Sequence, residues 1–245
     1  MIVVVSGEGS TDIGACSNAA GICDPPDYIP GAMGRFIDAL IAPIWSYSPY
    51  DASAMHYVAE GELARMSDEA KLVSLPGKKK AQETGYFFKN SYALGKYATN
   101  IEERHDCKTM AVLFRDADGT RRTVSGLWEA KVHSIQLGFS ASGYARGVPM
   151  VPKPKSEAWL LCAVQPHPYQ DCGRFESISG NDHSPNSAKK QLDAALEPSH
   201  RTHLDLPDMI AANEIAPDRI DMPSFNAFRE RLKEVAYAMT GRTVH

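Results

Sequence analysis

Thr109-Met110-Ala111-Val112-Leu113-Phe114 runs without a break into Arg115-Asp116-Ala117-Asp118-Gly119. Six consecutive apolar or β-branched residues, with no polar position recurring at either the two-residue or the 3.6-residue period, predict a strand buried on both faces, as in a parallel sheet. The strand ends at the aspartates. On an extended segment, residues two apart point the same way, so Asp116 and Asp118 are expected to face one site at the sheet edge. A strand of the same kind opens the chain at Ile2 to Val5, and a turn of Gly7, Glu8, Gly9, Ser10 and Thr11 follows it. If a helix begins just after Glu8, the four-residue spacing puts Glu8 and Asp12 on one side of its first turn.

Outward from these two strands, the pattern alternates. Cys16 to Pro30 is rich in turn residues and reads as irregular. Met33 to Ile44 reads as a helix ending near Pro43, Ala54 to Val58 as a strand, and Glu62 to Leu72 as a helix. Pro76 to Lys80 is a basic loop, Tyr86 to Arg104 a helix, Thr123 to Gly138 another, and Gly147 to Val151 a strand. Ser156 to Val164 opens a further helix with Glu157 in its first turn, where the backbone dipole favours negative charge. Pro166 to Pro185 is a long polar loop. Asn186 to Leu196 and Pro223 to Met239 read as helices, the last with Phe225, Phe228, Leu232, Val235 and Met239 on one apolar stripe that is core packing. Strands alternating with helices predict an α/β fold, a parallel sheet flanked by helices, with a helical C-terminal portion. The expected organisation is a core over residues 1–165 and a loop and helical extension of the same domain over 166–245.

The 245 residues carry a formal net charge of −4, with 43% hydrophobic and 23% charged residues, which excludes a disordered chain and a uniformly basic nucleic-acid coat. The five cysteines are odd in number and lack metal-site spacing, so they are expected as free thiols in a reducing cytoplasm. No apolar run approaches membrane-spanning length, and no membrane partner is expected.

In an open parallel sheet, ligands bind outside the carboxyl ends of the strands, where Glu8 with Asp12, Asp116 with Asp118, and Glu157 are all expected. Two unit charges about 4 Å apart repel by about 4 kcal/mol at an effective dielectric near 20, so five carboxylates either lie apart or hold cations. An all-oxygen donor set suits Mg²⁺ or Mn²⁺, and two such ions are a standard device for phosphodiester cleavage.

The order of motifs resembles the Toprim group, in the OLD-nuclease-like branch of uncharacterised bacterial Toprim-like proteins associated with phage defence. Val5-Ser6-Gly7-Glu8-Gly9-Ser10-Thr11-Asp12 is similar to the group's glutamate turn, Asp116-x-Asp118 to its aspartate pair, and Lys153-Pro154-Lys155-Ser156-Glu157 to its third acidic motif. The resemblance implies a metal-dependent nuclease acting on DNA or RNA. It implies Glu8, Asp12, Asp116, Asp118 and Glu157 as ligands of two Mg²⁺ or Mn²⁺ ions, with Glu8 and Asp116 in the chemistry. Lys155 or Lys153 would neutralise charge in the transition state. The long separation of Glu8 from Asp116 implies an insertion at about 14–105. Relatives of this kind are often associated with ATPases, so a separately encoded ATPase partner is expected, and a homo-oligomer stays open.

Two other classes stay open. Hydrophobic strand followed by Asp116-Ala117-Asp118-Gly119 is also similar to the first motif of haloacid-dehalogenase-type phosphatases, with Asp116 as nucleophile and Gly180-Asn181-Asp182 as a late Mg²⁺ motif. The chain is alternatively a non-catalytic regulator of an ATPase. For phosphate contacts the candidates are Arg115, Arg121 and Arg122 beside the aspartate pair, and Lys153. The Lys78 to Lys80 loop reads more readily as solvated surface. Lys189 and Lys190 open a helix that is either an anion site or simply capped.

Overall fold

The computed structural model describes residues 1–18, 20–69, 82–117 and 127–241. Its main sheet has five strands in the order β3-β5-β1-β6-β7. These are β1 (Ile2–Gly7), β3 (Ile22–Cys23), β5 (Met55–Ala59), β6 (Thr109–Phe114) and β7 (Gly147–Met150). All are parallel except the antiparallel edge strand β3. Short strands β2 (Gly14–Cys16) and β4 (Tyr28–Pro30) make a separate antiparallel pair. A mostly parallel sheet with helices on both faces is the expected α/β class and is consistent with a Toprim-like fold.

The alternation of side chains along β1 and β6 builds two cores. Val3, Val5, Met110, Val112 and Phe114 point to one face, where they meet α1 (Ala32–Trp45), α5 (Ser156–Val164), α6 (Ala188–Leu196), α7 (Leu206–Ala211) and α8 (Pro223–Thr240). Val4, Ala111 and Leu113 point to the other, against α2 (Glu60–Glu69), α3 (Gln82–His105) and α4 (Leu127–Ala141). The apolar stripe of α8 is buried at all five positions, and its helix packs on α1 and β7, so the C-terminal helices share the core of the sheet. The 14–105 stretch contributes α1 to α3 and also a sheet strand, β5, which pairs directly with β1.

Two sequence expectations change. Cys16 to Pro30 is not irregular throughout, because β2 and β4 pair and β3 joins the main sheet. Nor are the cysteines all free thiols. Cys16 is bonded to Cys23 and Cys162 to Cys172, leaving Cys107. Sequence separations of 7 and 10 carried no recognisable spacing, and the pairs form because strand pairing and helix packing bring the thiols together. Helix α1 ends at Trp45, one residue beyond the expected Ile44 and close to Pro43, as the sequence predicts. The Lys78 to Lys80 loop lies outside the described residues, as do Asp118, Arg121 and Arg122. Among the described residues no helix is long and apolar enough to cross a membrane.

Candidate functional site

After β1, the chain crosses to β5 on one side of it and then to β6 on the other, so the strand order reverses between β1 and β6. Crevices outside the carboxyl ends of strands at such a switch point are where α/β sheets bind ligands. Gly7 and Phe114 are paired in register at this end. A Cβ at Gly7 would lie 2.5 Å from the Phe114 carbonyl oxygen, so only glycine permits the approach. Glu8 and Arg115 therefore leave adjacent strand ends side by side.

Glu8 is held at both oxygens. Its Oε1 accepts the backbone N–H of Asp116 at 2.9 Å, and its Oε2 accepts from Arg115 at 3.1 Å. The chain then makes a wide π-type turn, Gly9–Ile13, a geometry that recurs at functional sites. Tyr28 of β4 fixes this turn by donating its hydroxyl to the Ile13 carbonyl at 2.5 Å. Helix α1 closes on the turn as well: a Cβ at Gly31 would come within 2.4 Å of the Thr11 and Asp12 carbonyl oxygens.

Ser156, the first residue of α5, joins three acids. Its backbone N–H, which has no partner inside the helix, donates to Asp116 Oδ1 at 3.0 Å. Its Oγ lies 2.5 Å from Asp12 Oδ1 and 3.3 Å from Glu157 Oε2. One hydroxyl has one proton, so the shorter contact to Asp12 is the donated one. Burial pushes the Asp12 carboxyl up to about 6. The Ser156 bond opposes this shift, while the negative charges of Glu157 and Glu8 add to it and Lys155 lowers it. Helix α5 is itself pinned by Trp159, which packs edge-on to Phe225 and stacks on Phe228 of α8.

A second network flanks Glu8. Glu60 follows β5 as the first residue of α2, and its Oε1 accepts from Arg115 at 2.6 Å and from the Tyr86 hydroxyl. The Arg115 guanidinium also sits over the Tyr86 ring, 4.4 Å from its centre. Burial disfavours the Glu60 charge, but the bonds from Tyr86 and Arg115 outweigh it and hold the carboxyl below the usual range. Arg115, expected at a phosphate, is thus buried between two carboxylates, with its side chain 11% exposed. Behind it, the fully buried Lys131 of α4 donates to the Ala117 carbonyl at 2.5 Å. The Ala117 N–H is taken by the Pro152 and Pro154 carbonyls, so the backbone after Asp116 is gripped on both sides.

No family model, characterised protein or solved structure matches this chain.

Of the remaining expected residues, Lys155 stands at the N-terminus of α5 and pairs with Asp182 at 3.0 Å, and Lys153 is half-buried just before it. Lys189 and Lys190 are exposed in the first turn of α6, a helix capped by Ser187, whose hydroxyl accepts the Lys190 N–H. The crevice thus brings together Glu8, Asp12, Asp116 and Glu157. Among the described residues no three His, Cys, Asp or Glu side chains are grouped so that they could hold a metal ion. The donor set is nonetheless of the all-oxygen kind that suits a hard cation, and the Glu157 and Glu8 charges add to the burial that raises the Asp12 carboxyl.

Ser156, Glu60, Tyr86 and Lys131 went unread in the sequence. Glu60 was within reach, because the strand-end rule that singled out Glu8 and Asp116 applies equally to the Glu60 that follows Met55–Ala59. Ser156 looked like any serine opening a helix. Tyr86 and Lys131 have no local signature at all.

Proposed function

We propose that this chain is a Mg²⁺- or Mn²⁺-dependent phosphodiesterase that cleaves nucleic acid. The reading rests on the convergence of Asp12, Asp116 and Glu157 on the single residue Ser156, next to Glu8, at the switch point of the sheet. Glu8, Asp12, Asp116 and Glu157, with Asp118 outside the described residues, would hold two hard cations, which when bound supply an activated water and stabilise the leaving oxygen of a phosphodiester.

The chain's own groups orient and neutralise. Ser156 fixes the Asp12 and Asp116 carboxylates relative to each other, and the Asp116 amide with Arg115 fixes Glu8 as proton acceptor beside the attacked phosphate. Lys155, paired with Asp182, adds positive charge at the same helix end and would oppose charge that develops on the phosphate. Lys153, Lys189 and Lys190 extend that charge around the helix ends and suit a polyanionic substrate. A separately encoded ATPase partner and a part in phage defence belong to the same proposal, whereas the cytoplasmic location expected from free thiols loses that support with the Cys16–Cys23 and Cys162–Cys172 bonds.

A second reading has one observation in its favour. The Lys155–Asp182 pair draws Gly180-Asn181-Asp182 to the helix end whose first N–H holds Asp116, as a phosphomonoesterase with Asp116 as nucleophile would need. The two separate in one experiment: cleavage of plasmid DNA, single-stranded DNA and transfer RNA with Mg²⁺ or Mn²⁺, with p-nitrophenyl phosphate alongside. The expected result is polymer cleavage that falls at least about a hundredfold in both Glu8→Ala and Asp116→Ala. Monoester hydrolysis lost in Asp116→Ala but kept in Glu8→Ala would replace the nuclease with the phosphatase. No activity on any substrate would move the chain to a regulatory role.

A further inference from the structure

Arg115 is one cation shared by two carboxylates, Glu8 at 3.1 Å and Glu60 at 2.6 Å. The shorter contact goes to Glu60, which is not one of the acids gathered at Ser156. Glu60 is in turn bonded by the Tyr86 hydroxyl, and the Tyr86 ring lies under the guanidinium, so the residue touches both ends of this pair. The arrangement is buried at its centre, and the Arg115 Nε has no partner among the described residues. The guanidinium is therefore held from its far side by Glu60 and Tyr86 as well as by Glu8.

The charge balance follows. If Arg115 faced Glu8 alone, it would neutralise the carboxylate, ideally through two parallel N–H···O bonds. With Glu60 on its other side, one positive charge is divided between two negative ones. Glu8 then receives a single bond from Arg115, at Oε2, beside the Asp116 N–H at Oε1, and the trio of Glu8, Arg115 and Glu60 keeps a net negative charge.

We propose that Glu60, with Tyr86, is a positioning residue that holds Arg115 so that Glu8 stays oriented yet able to take a divalent cation. This deepens the phosphodiesterase reading and rests on it for the role of Glu8, while the grip of Glu60 on Arg115 stands apart from any metal. The clamp works through Glu8, and neither Glu60 nor Tyr86 is assigned to the reacting atoms.

The test uses the full chain with arginine labelled in nitrogen-15, as wild type, Glu60→Gln and Tyr86→Phe, each checked for folding by thermal unfolding. Tyr86→Phe keeps the ring and changes no charge, so it isolates positioning from the loss of a carboxylate. In metal-free protein, the Arg115 guanidinium signals should report restricted rotation in wild type and faster rotation in both variants. Mn²⁺ titration should then show binding weakened about tenfold in Glu60→Gln, the size of one charge-assisted hydrogen bond, and by a smaller factor in Tyr86→Phe. Glu60→Asp, whose shorter arm falls back from Arg115, should not restore it.

Unchanged Arg115 signals in Glu60→Gln would overturn the clamp. So would faster Arg115 rotation with Mn²⁺ affinity equal to wild type. If wild type itself binds no Mn²⁺, the metal reading fails, and the clamp's bearing on Glu8 as a ligand fails with it. Glu60→Gln failing to fold would leave the decision to Tyr86→Phe, where slow Arg115 rotation and full Mn²⁺ affinity would overturn the proposal.

Discussion

The two faces of the sheet are buried by different chemistry. Against α1, α5 and α8, Phe36, Trp159, Phe225 and Phe228 interlock, and the Trp159 Nε1–H donates to Ser224 Oγ at 2.8 Å. Against α2, α3 and α4, the buried set includes Ser67, Asn90, Ser91, Lys131 and Ser134. Ser67 and Ser91 turn back on carbonyls of their own helices, whereas Lys131 reaches the end of β6. Burying a lysine is unfavourable unless its ammonium is bonded, so an apolar side chain there would serve packing better. The contrast predicts that the aromatic cluster around Trp159 contributes more stability than the site around Lys131, which gives some up to hold the backbone next to Asp116.

The contrast yields graded expectations. Trp159→Ala empties the centre of the aromatic cluster and should cost about 3–5 kcal/mol. In a chain of this length that lowers the melting temperature by roughly 10 °C, read by calorimetry. A loss below about 1 kcal/mol would erase the distinction between the faces. Lys131→Met leaves the Ala117 carbonyl without its buried donor and should cost about 1–3 kcal/mol, measured by urea unfolding. A loss as large as that of Trp159→Ala would break the comparison from the other side.

The smallest effect concerns Asp12. Its native pKa, about 6, lies above its ordinary value of 3.8, so between those values the native state holds more proton than the unfolded one. The stability from this group is complete below about pH 4 and lost as the pH rises through about 6. Asp12→Asn should flatten that slope and stabilise the metal-free chain at neutral pH by about 1–2 kcal/mol. Urea midpoints at acid and neutral pH check it, and an unchanged slope would show that burial of Asp12 does not set it.

How much was legible varies by element. The bounds of β6 and α5 agree with the sequence expectation at both ends, because a continuous apolar run and a helix-opening serine act locally. The short β3 and helix α7 were missed. Two residues of strand and six of helix are too few for a period to show, and their partners lie far away in the chain. At the site, the acids following strands were visible, but Arg115 was expected at a phosphate. Nothing local separates an arginine that meets solvent from one enclosed by Glu8 and Glu60.

By itself the sequence determined the two central strands, the apolar faces that bury them and the acids at their ends, since these follow from periodicity and turn chemistry within a dozen residues. Only the tertiary structure decided that Asp12, Asp116 and Glu157 meet on Ser156, that Arg115 is divided between Glu8 and Glu60, and that Cys16 and Cys162 find Cys23 and Cys172. Those contacts depend on strand register and on crossovers between segments up to about a hundred residues or more apart. Such geometry is set by how the helices pack on the sheet, and no local pattern encodes it.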